Sequence, residues 1–173
     1  GEAFEQLGTI ELVAFDKTGT LTRNMPTVVA VETASAIDRS RVLDVAAALE
    51  SQSTHPLAAA IMAEQPNPPV VSGVAEHPGQ GVSGFIDDVA VRVGSPRWVS
   101  PGLLLKRCEG MEAEGMTVIV VEVDGVPVGL IGIRDELKPE AAAAVAELNA
   151  HGVATVMLTG DNARTGQALG AQV

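Results

Sequence analysis

The chain has 173 residues but no tyrosine, and Phe and Trp together make up only 2% of it. With so few rings available, the core has to be aliphatic, built from the Ala, Val, Gly and Leu that dominate a composition 46% hydrophobic and 19% charged. Basic residues are scarce: 11 Lys and Arg stand against 22 Asp and Glu, a net charge of −11. Nucleic-acid affinity comes largely from cationic side chains neutralising phosphates, so that class of partner is excluded. An anionic membrane surface is disfavoured on the same ground. The one cysteine, Cys108, cannot form an internal disulfide, which suits a reducing compartment. It falls in a helical-looking stretch and reads as a small buried apolar side chain. The longest apolar runs, Met116–Val121 and Val126–Ile133, are strand-length and too short to span a bilayer. The start, Gly1-Glu2-Ala3-Phe4-Glu5, has neither the basic residues nor the apolar run of a signal peptide, and a first residue other than Met suggests an excised piece. No internal repeat or low-complexity segment is visible.

What is present reads as alternating strands and helices. Ile10–Phe15 is a buried strand ending at Asp16, with a loop through Gly19. Thr27–Thr33 is a second strand. The apolar spacing of Val42, Leu43, Val45, Ala46 and Leu49 predicts an amphipathic helix over Asp38–Glu50, capped by Asp38. A second helix, from about His55 to Gln65, begins with Pro56 in its first turn and stops before Pro66. Three short strands follow: Val70–Glu76, Val82–Asp87 and Val89–Gly94, the last two joined by an Asp87-Asp88 hairpin. Leu103–Glu114 is helical up to Gly115. Met116–Val123 and Val126–Ile133 flank Asp124-Gly125, the strongest hairpin signal in the chain. Pro139–Ala150 is an Ala-rich helix closed by Gly152, Val153–Leu158 is a buried strand, and a last helix begins near Asn162.

Both ends therefore have the character of an open α/β sheet, and the middle that of helical hairpins on an antiparallel sheet. The expected organisation is a split domain of residues 1–24 and 134–173 with a domain of 25–133 inserted. Strands 10–15 and 153–158 become parallel neighbours, and Asp16 and Thr159 meet at the carboxyl end, where such sheets bind ligands.

The sharpest chemical signal is Asp16-Lys17-Thr18-Gly19-Thr20-Leu21-Thr22. A carboxylate at a strand end, followed by a loop offering amides, hydroxyls and a lysine, suits phosphoryl transfer with Asp16 as the nucleophile. The run resembles the phosphorylation motif of P-type ATPases, members of the haloacid dehalogenase superfamily, and the resemblance extends over essentially the whole chain. The implied fold is a split, incomplete Rossmann-like phosphorylation domain carrying an inserted α+β nucleotide-binding domain. Superfamily phosphatases have a second Asp two residues after the nucleophile as general acid and base. Here Thr18 stands there, so an aspartyl phosphate is expected to persist. The resemblance implies phosphorylation at Asp16, Mg²⁺ held by Asp16 and the Thr18 carbonyl, Thr159 on a phosphoryl oxygen, and Asp161 near the ribose and phosphates. Asp135-Glu136-Leu137-Lys138-Pro139 resembles the family's hinge motif.

Ser53-Thr54-His55-Pro56-Leu57 resembles the His-Pro motif of the heavy-metal branch, whose His packs on adenine. Glu50 stands where that branch has an adenine-binding Glu. Gly79-Gln80-Gly81 matches its Gly-x-Gly loop, where glycine is expected to let backbone approach a flat ligand. Gly94-Ser95 matches a Gly-Asn pair with one departure, Ser95 replacing Asn, which puts a ribose or phosphate hydrogen bond there in doubt. Trp98 is read as packing beside Gly94, and His77 and His151 as surface residues.

The implied parent is a membrane pump with this part on the cytoplasmic side of the cell membrane and ATP as partner, joined to membrane helices and an actuator domain. The transported metal is not expected to bind this part. The opening residues read more like the zinc/cadmium/cobalt branch than the copper branch. The later Gly-Asp-Gly-x-Asn-Asp motif does not occur before Val173, so the piece alone is expected to bind ATP with little turnover. The alternative reading is a soluble phosphatase of the same superfamily, which Thr18 and the His55 constellation oppose.

Overall fold

The computed structural model describes residues 10–34 and 37–158, without the side chains of Lys17 and Thr18. Contacts divide the chain into two compact units, Gly1–Asn24 with Asp135–Val173, and Met25–Arg134.

In the first unit, β1 (Leu12–Asp16) and β8 (Ala154–Leu158) pair in parallel, from Leu12 opposite Ala154 to Asp16 opposite Leu158. Their residues alternate between half-buried and exposed, as a period of two requires. Phe15 and Met157 pack with Leu21 and Leu137 against Ala141 and Val145 of α4 (Pro139–Ala150). Pro139 opens α4, where its missing N–H costs nothing. After Asp16 the backbone forms a π-helical turn, Lys17–Leu21, where the sequence suggests only a loop.

The second unit holds a six-stranded sheet ordered β2-β7-β6-β5-β4-β3. Its strands are β2 (Thr22–Thr33), β3 (Ser72–His77), β4 (Gly81–Ile86), β5 (Val89–Gly94), β6 (Thr117–Val123) and β7 (Val126–Leu137). From β3 to β7 each sequential pair is antiparallel. The hairpin turns use positive φ at Asp87 (48°) and Asp88 (62°), and at Asp124 (50°) and Gly125 (75°), the twist that two-residue hairpins need.

Helices α1 (Arg39–Glu50) and α2 (Pro56–Glu64) cover one face of the sheet, packing Val42, Val45, Leu49 and Ile61 with Val93 and Val121. Helix α3 (Leu105–Ala113) covers the other, where Cys108 and Met111 meet Val118, Val120 and Leu130. This two-sided burial explains why β6 reads as an unbroken apolar run: Val118 and Val120 serve one core, Ile119 and Val121 the other.

Further expectations change: β1 and β8, read from their apolar runs as buried strands, alternate between half-buried and exposed residues. Asp38 caps α1 through its carbonyl, which accepts from Arg41 N–H at 3.0 Å, and its side chain makes no cap bond. Strand β2 begins at Thr22 rather than Thr27; Pro26 lies within it because β2 is an edge strand, where a missing N–H is tolerated. Strand β7 runs on to Leu137, past Ile133. Among the described residues, no helix is long and apolar enough to cross a membrane.

Candidate functional site

The second unit contains a cavity of about 260 Å³. The end of α1 contributes Glu50, and the turn after it Ser53 and His55. The β3–β4 turn contributes Gly79 to Gly81, and the end of β5 contributes Gly94 and Ser95. The five nucleotide-site candidates that lie in this unit thus come together from four stretches of sequence.

Glu50 is only 9% exposed. Burial pushes its carboxyl above the ordinary glutamate range; a hydrogen bond with Ser53 and the nearby His55 oppose the rise, and Glu76 reinforces it. Its main-chain carbonyl accepts from Ser53 N–H at 2.9 Å, which turns the chain from α1 towards His55.

His55 caps α2: its Nδ1 accepts from Leu57 N–H at 3.2 Å, and Pro56 fills the first helical position. Because Nδ1 uses its lone pair in the cap, the neutral ring carries its proton on Nε2. Capping and lining the cavity are compatible, since the cap uses one ring edge and leaves the face.

The glycines divide. A Cβ on Gly81 would lie 2.1 Å from the Val93 carbonyl oxygen, and one on Gly94 2.5 Å from the Gln80 carbonyl oxygen and 2.6 Å from the Trp98 ring. The close approach of β4, β5 and Trp98 by itself requires glycine at these two positions, a packing reason that stands beside the ligand approach expected of the Gly79-Gln80-Gly81 loop. Gly79 differs: its φ is 71°, and a Cβ there would meet nothing within 4 Å. Trp98 does pack beside Gly94, as read from the sequence.

His77 is not a simple surface residue. It is half-buried and lines the cavity, with Nε2 2.9 Å from Ser83 Oγ and its ring packed at a 40° tilt against Trp98. The available sequence signal was its place directly before Pro78-Gly79, at the start of the glycine turn. Thr117 to Ile119 at the start of β6 also line the cavity, and an apolar strand carries no local sign of that. His151 is exposed at the end of α4, its Nδ1 2.8 Å from the Glu147 carbonyl oxygen.

In the first unit, Asp16 is exposed at the carboxyl end of β1, opposite Leu158 of β8. The turn that follows is tied down. Gly19 N–H donates to Thr22 Oγ1 at 3.2 Å, and Lys138 Nζ donates to the Gly19 carbonyl at 2.9 Å. Thr22, fully buried, donates through Oγ1 to Asp135 Oδ2. Thr159 and Asp161 lie outside the described residues, as do the Lys17 and Thr18 side chains. A carboxylate with neighbouring backbone carbonyls is a hard oxygen set, of the kind that holds Mg²⁺ through one or two carboxylates while substrate phosphates complete the shell. Among the described residues no three His, Cys, Asp or Glu side chains gather into a metal-holding group.

A sequence profile described as haloacid dehalogenase-like hydrolase matches residues 10–173. The chain belongs to the haloacid dehalogenase-like hydrolase family. Within it, this chain is 39% identical to a copper-exporting P-type ATPase of Mycobacterium leprae, over 99% of its own length and 23% of that protein's. It is 44% identical to cation-transporting P-type ATPase B of Mycobacterium bovis, over 99% of its length and 24% of the relative's. The crystal structure of a zinc-transporting PIB-type ATPase in its E2·Pi state superposes with a TM-score of 0.73 at 37% identity, covering 98% of this chain and 29% of that one. The chain spans about a quarter of the length of the relatives it matches.

Proposed function

We propose that this chain is the ATP-binding, phosphoryl-accepting cytoplasmic part of a heavy-metal cation-translocating P-type ATPase of the cell membrane. The observation that carries the reading is the convergence of Glu50, His55, Gly79, Gly81 and Gly94 on one cavity. At about 260 Å³ it falls below the ~300–1,000 Å³ usual for whole small ligands and suits a flat base. Its described lining includes Glu50 and Glu76 but no Lys or Arg, so the base enters and the phosphates stay outside. Adenine offers an exocyclic amine beside a ring nitrogen. A carboxyl that burial holds towards its protonated form can accept from the first and donate to the second. The His55 face stacks on the ring.

In the first unit, a carboxylate oxygen of Asp16 attacks the γ-phosphorus, the bond to the bridging oxygen of ADP breaks, and ADP leaves. Mg²⁺, held by Asp16 and the Thr18 carbonyl, would supply positive charge at the phosphoryl oxygens. Lys17, Thr159 and Asp161 orient the phosphates. With Thr18 two residues after Asp16, no carboxylate at that position activates water, and the acyl phosphate persists. That favours a pump over a phosphatase. The transported cation is held by membrane helices outside this chain. The reading keeps the zinc/cadmium/cobalt branch ahead of copper, although the relatives' names run both ways.

Calorimetry with ATP tests the base site. His55→Ala weakens binding roughly 5- to 150-fold, from ~1–3 kcal/mol per stacked base at about 1.4 kcal/mol per decade. Unchanged affinity in a folded variant would sink this reading. In the full-length pump, label from γ-labelled ATP is sensitive to hydroxylamine and absent in Asp16→Asn.

A further inference from the structure

Two of the described cavity-lining residues carry rings, His55 and His77, and His77 is the more firmly held. It closes β3, its Nε2 is 2.9 Å from Ser83 Oγ on β4, and its ring centroid is 4.7 Å from that of Trp98, with the planes 40° apart. The Trp98 ring is fixed in turn. The Arg92 guanidinium lies 5.5 Å from its centroid, and Arg92 is forked onto Glu122 by hydrogen bonds of 2.7 and 2.8 Å. The Glu122 side chain is 8% exposed, so the fork is well shielded from water on that side. Ser83, Arg92 and Glu122 occupy facing register positions on β4, β5 and β6. The row crosses three strands, and two supports reach one imidazole: Ser83, at one end of the row, meets a ring nitrogen, and Trp98, beside Arg92, meets the ring at a tilt.

A flat ligand needs faces, and this chain has few to give: three Phe, one Trp and no Tyr in all. Its single tryptophan stands behind a histidine at the cavity. We propose that His77 is a base-contacting residue, a second ring against which the purine of a bound nucleotide packs, with Trp98 and the Arg92–Glu122 fork as its positioning residues. The proposal rests on the reading of this cavity as a nucleotide site. It adds a contact at the β3–β4 turn, on a different element from His55 at the start of α2. Stacking at both places restrains the base against rocking more than one ring can, because imidazole and purine faces attract over a large shared area.

The chain reports on the contact itself. Trp98 is the sole tryptophan and there is no tyrosine, so its emission reads the stack on His77 without interference. ATP is titrated into the 173-residue chain and followed in parallel by calorimetry and Trp98 emission. In the wild type both give the same Kd. His77→Ala weakens ATP binding by about tenfold, within the range of one base–ring stack. His77→Phe keeps a ring face and binds within about threefold of the wild type, whereas His77→Gln keeps polar reach towards Ser83 without a ring and behaves as Ala. Wild-type affinity in His77→Ala alongside weakened binding in His55→Ala overturns this inference and leaves the pocket standing. No ATP binding by the wild type overturns the pocket and this inference together. Should His77→Ala fail to fold, equal affinity of the Phe and Gln variants overturns it.

Discussion

Glu50 ends α1 inside the cavity wall with 9% of the residue exposed, and its carboxyl is pushed above the ordinary value of 4.5 mainly by burial. A carboxyl whose folded value is raised contributes stability that is fully present below the unfolded value. That stability is lost as pH rises through the folded value. Near neutrality, therefore, the fold bears the cost of an ionised or reluctantly protonated group. Glu50→Gln keeps the shape and removes the titration. The variant should be more stable than the wild type at pH 7, and the difference should shrink as pH falls towards 4.5. If Glu50 also reads the adenine edge as a protonated carboxyl, the same variant binds ATP at least as well at pH 7, because an amide keeps the acceptor beside a donor without the cost of protonation. Urea denaturation across pH, paired with calorimetry, checks both signs. A variant that loses both stability and binding would make Glu50 a structural residue.

At the level of elements, legibility followed locality. The helices and the Asp87-Asp88 and Asp124-Gly125 turns are readable because their signals lie within a few residues of the structure they specify. Glu50, His55 and the glycines were recognisable as a set because short motifs carry them. The first turn of β2 and the tail of β7 were not readable, because each is specified by a strand about a hundred residues away, as Thr22 Oγ1 on Asp135 illustrates. His77 was missed for a related reason: its partners Ser83, Trp98 and, behind them, Arg92 and Glu122 converge only when three strands pair. The glycines show how one motif can hide two causes. A Cβ on Gly81 or Gly94 would press on the backbone of the neighbouring strand, at 2.1 and 2.5 Å. Gly81→Ala and Gly94→Ala should each destabilise the unit by about 1–3 kcal/mol, as overpacking does. Gly79→Ala has room and suffers only its positive φ, about 1–2 kcal/mol at most. If Gly79 lets backbone approach the nucleotide, its Ala variant loses more affinity than stability, the reverse of Gly81→Ala. Urea midpoints and ATP affinities measured on the three variants decide; parallel losses in all three would remove Gly79 from the site.

At the scale of the whole molecule, the two units differ in how much they bury. Met25–Arg134 has two hydrophobic cores, one on each face of its sheet, with Val42, Val45, Ile61, Val93, Val121 and Ile131 within 1% of full burial in the larger. The other unit, among the described residues, has one cluster whose buried members are Leu21, Ala141 and Val145. Apolar burial is the dominant favourable term in folding, so among the described residues the larger share of stability belongs to Met25–Arg134. Every described residue that lines the cavity, from Glu50 to Ile119, also lies inside that unit. Excision at Met25 and Arg134 cuts β2 and β7 but leaves their stretches beside the sheet core, and it removes none of the described cavity residues. The excised segment should therefore unfold in a single cooperative transition and bind ATP within about threefold of the whole chain's affinity. It should carry the Trp98 emission change with it, since His77, Ser83, Trp98, Arg92 and Glu122 all remain. Phosphoryl acceptance should vanish, because Asp16 and the turn held by Lys138 are gone. A segment that folds yet has lost ATP binding would mean that residues of the first unit complete the base site, and the division of labour drawn here would have to be abandoned.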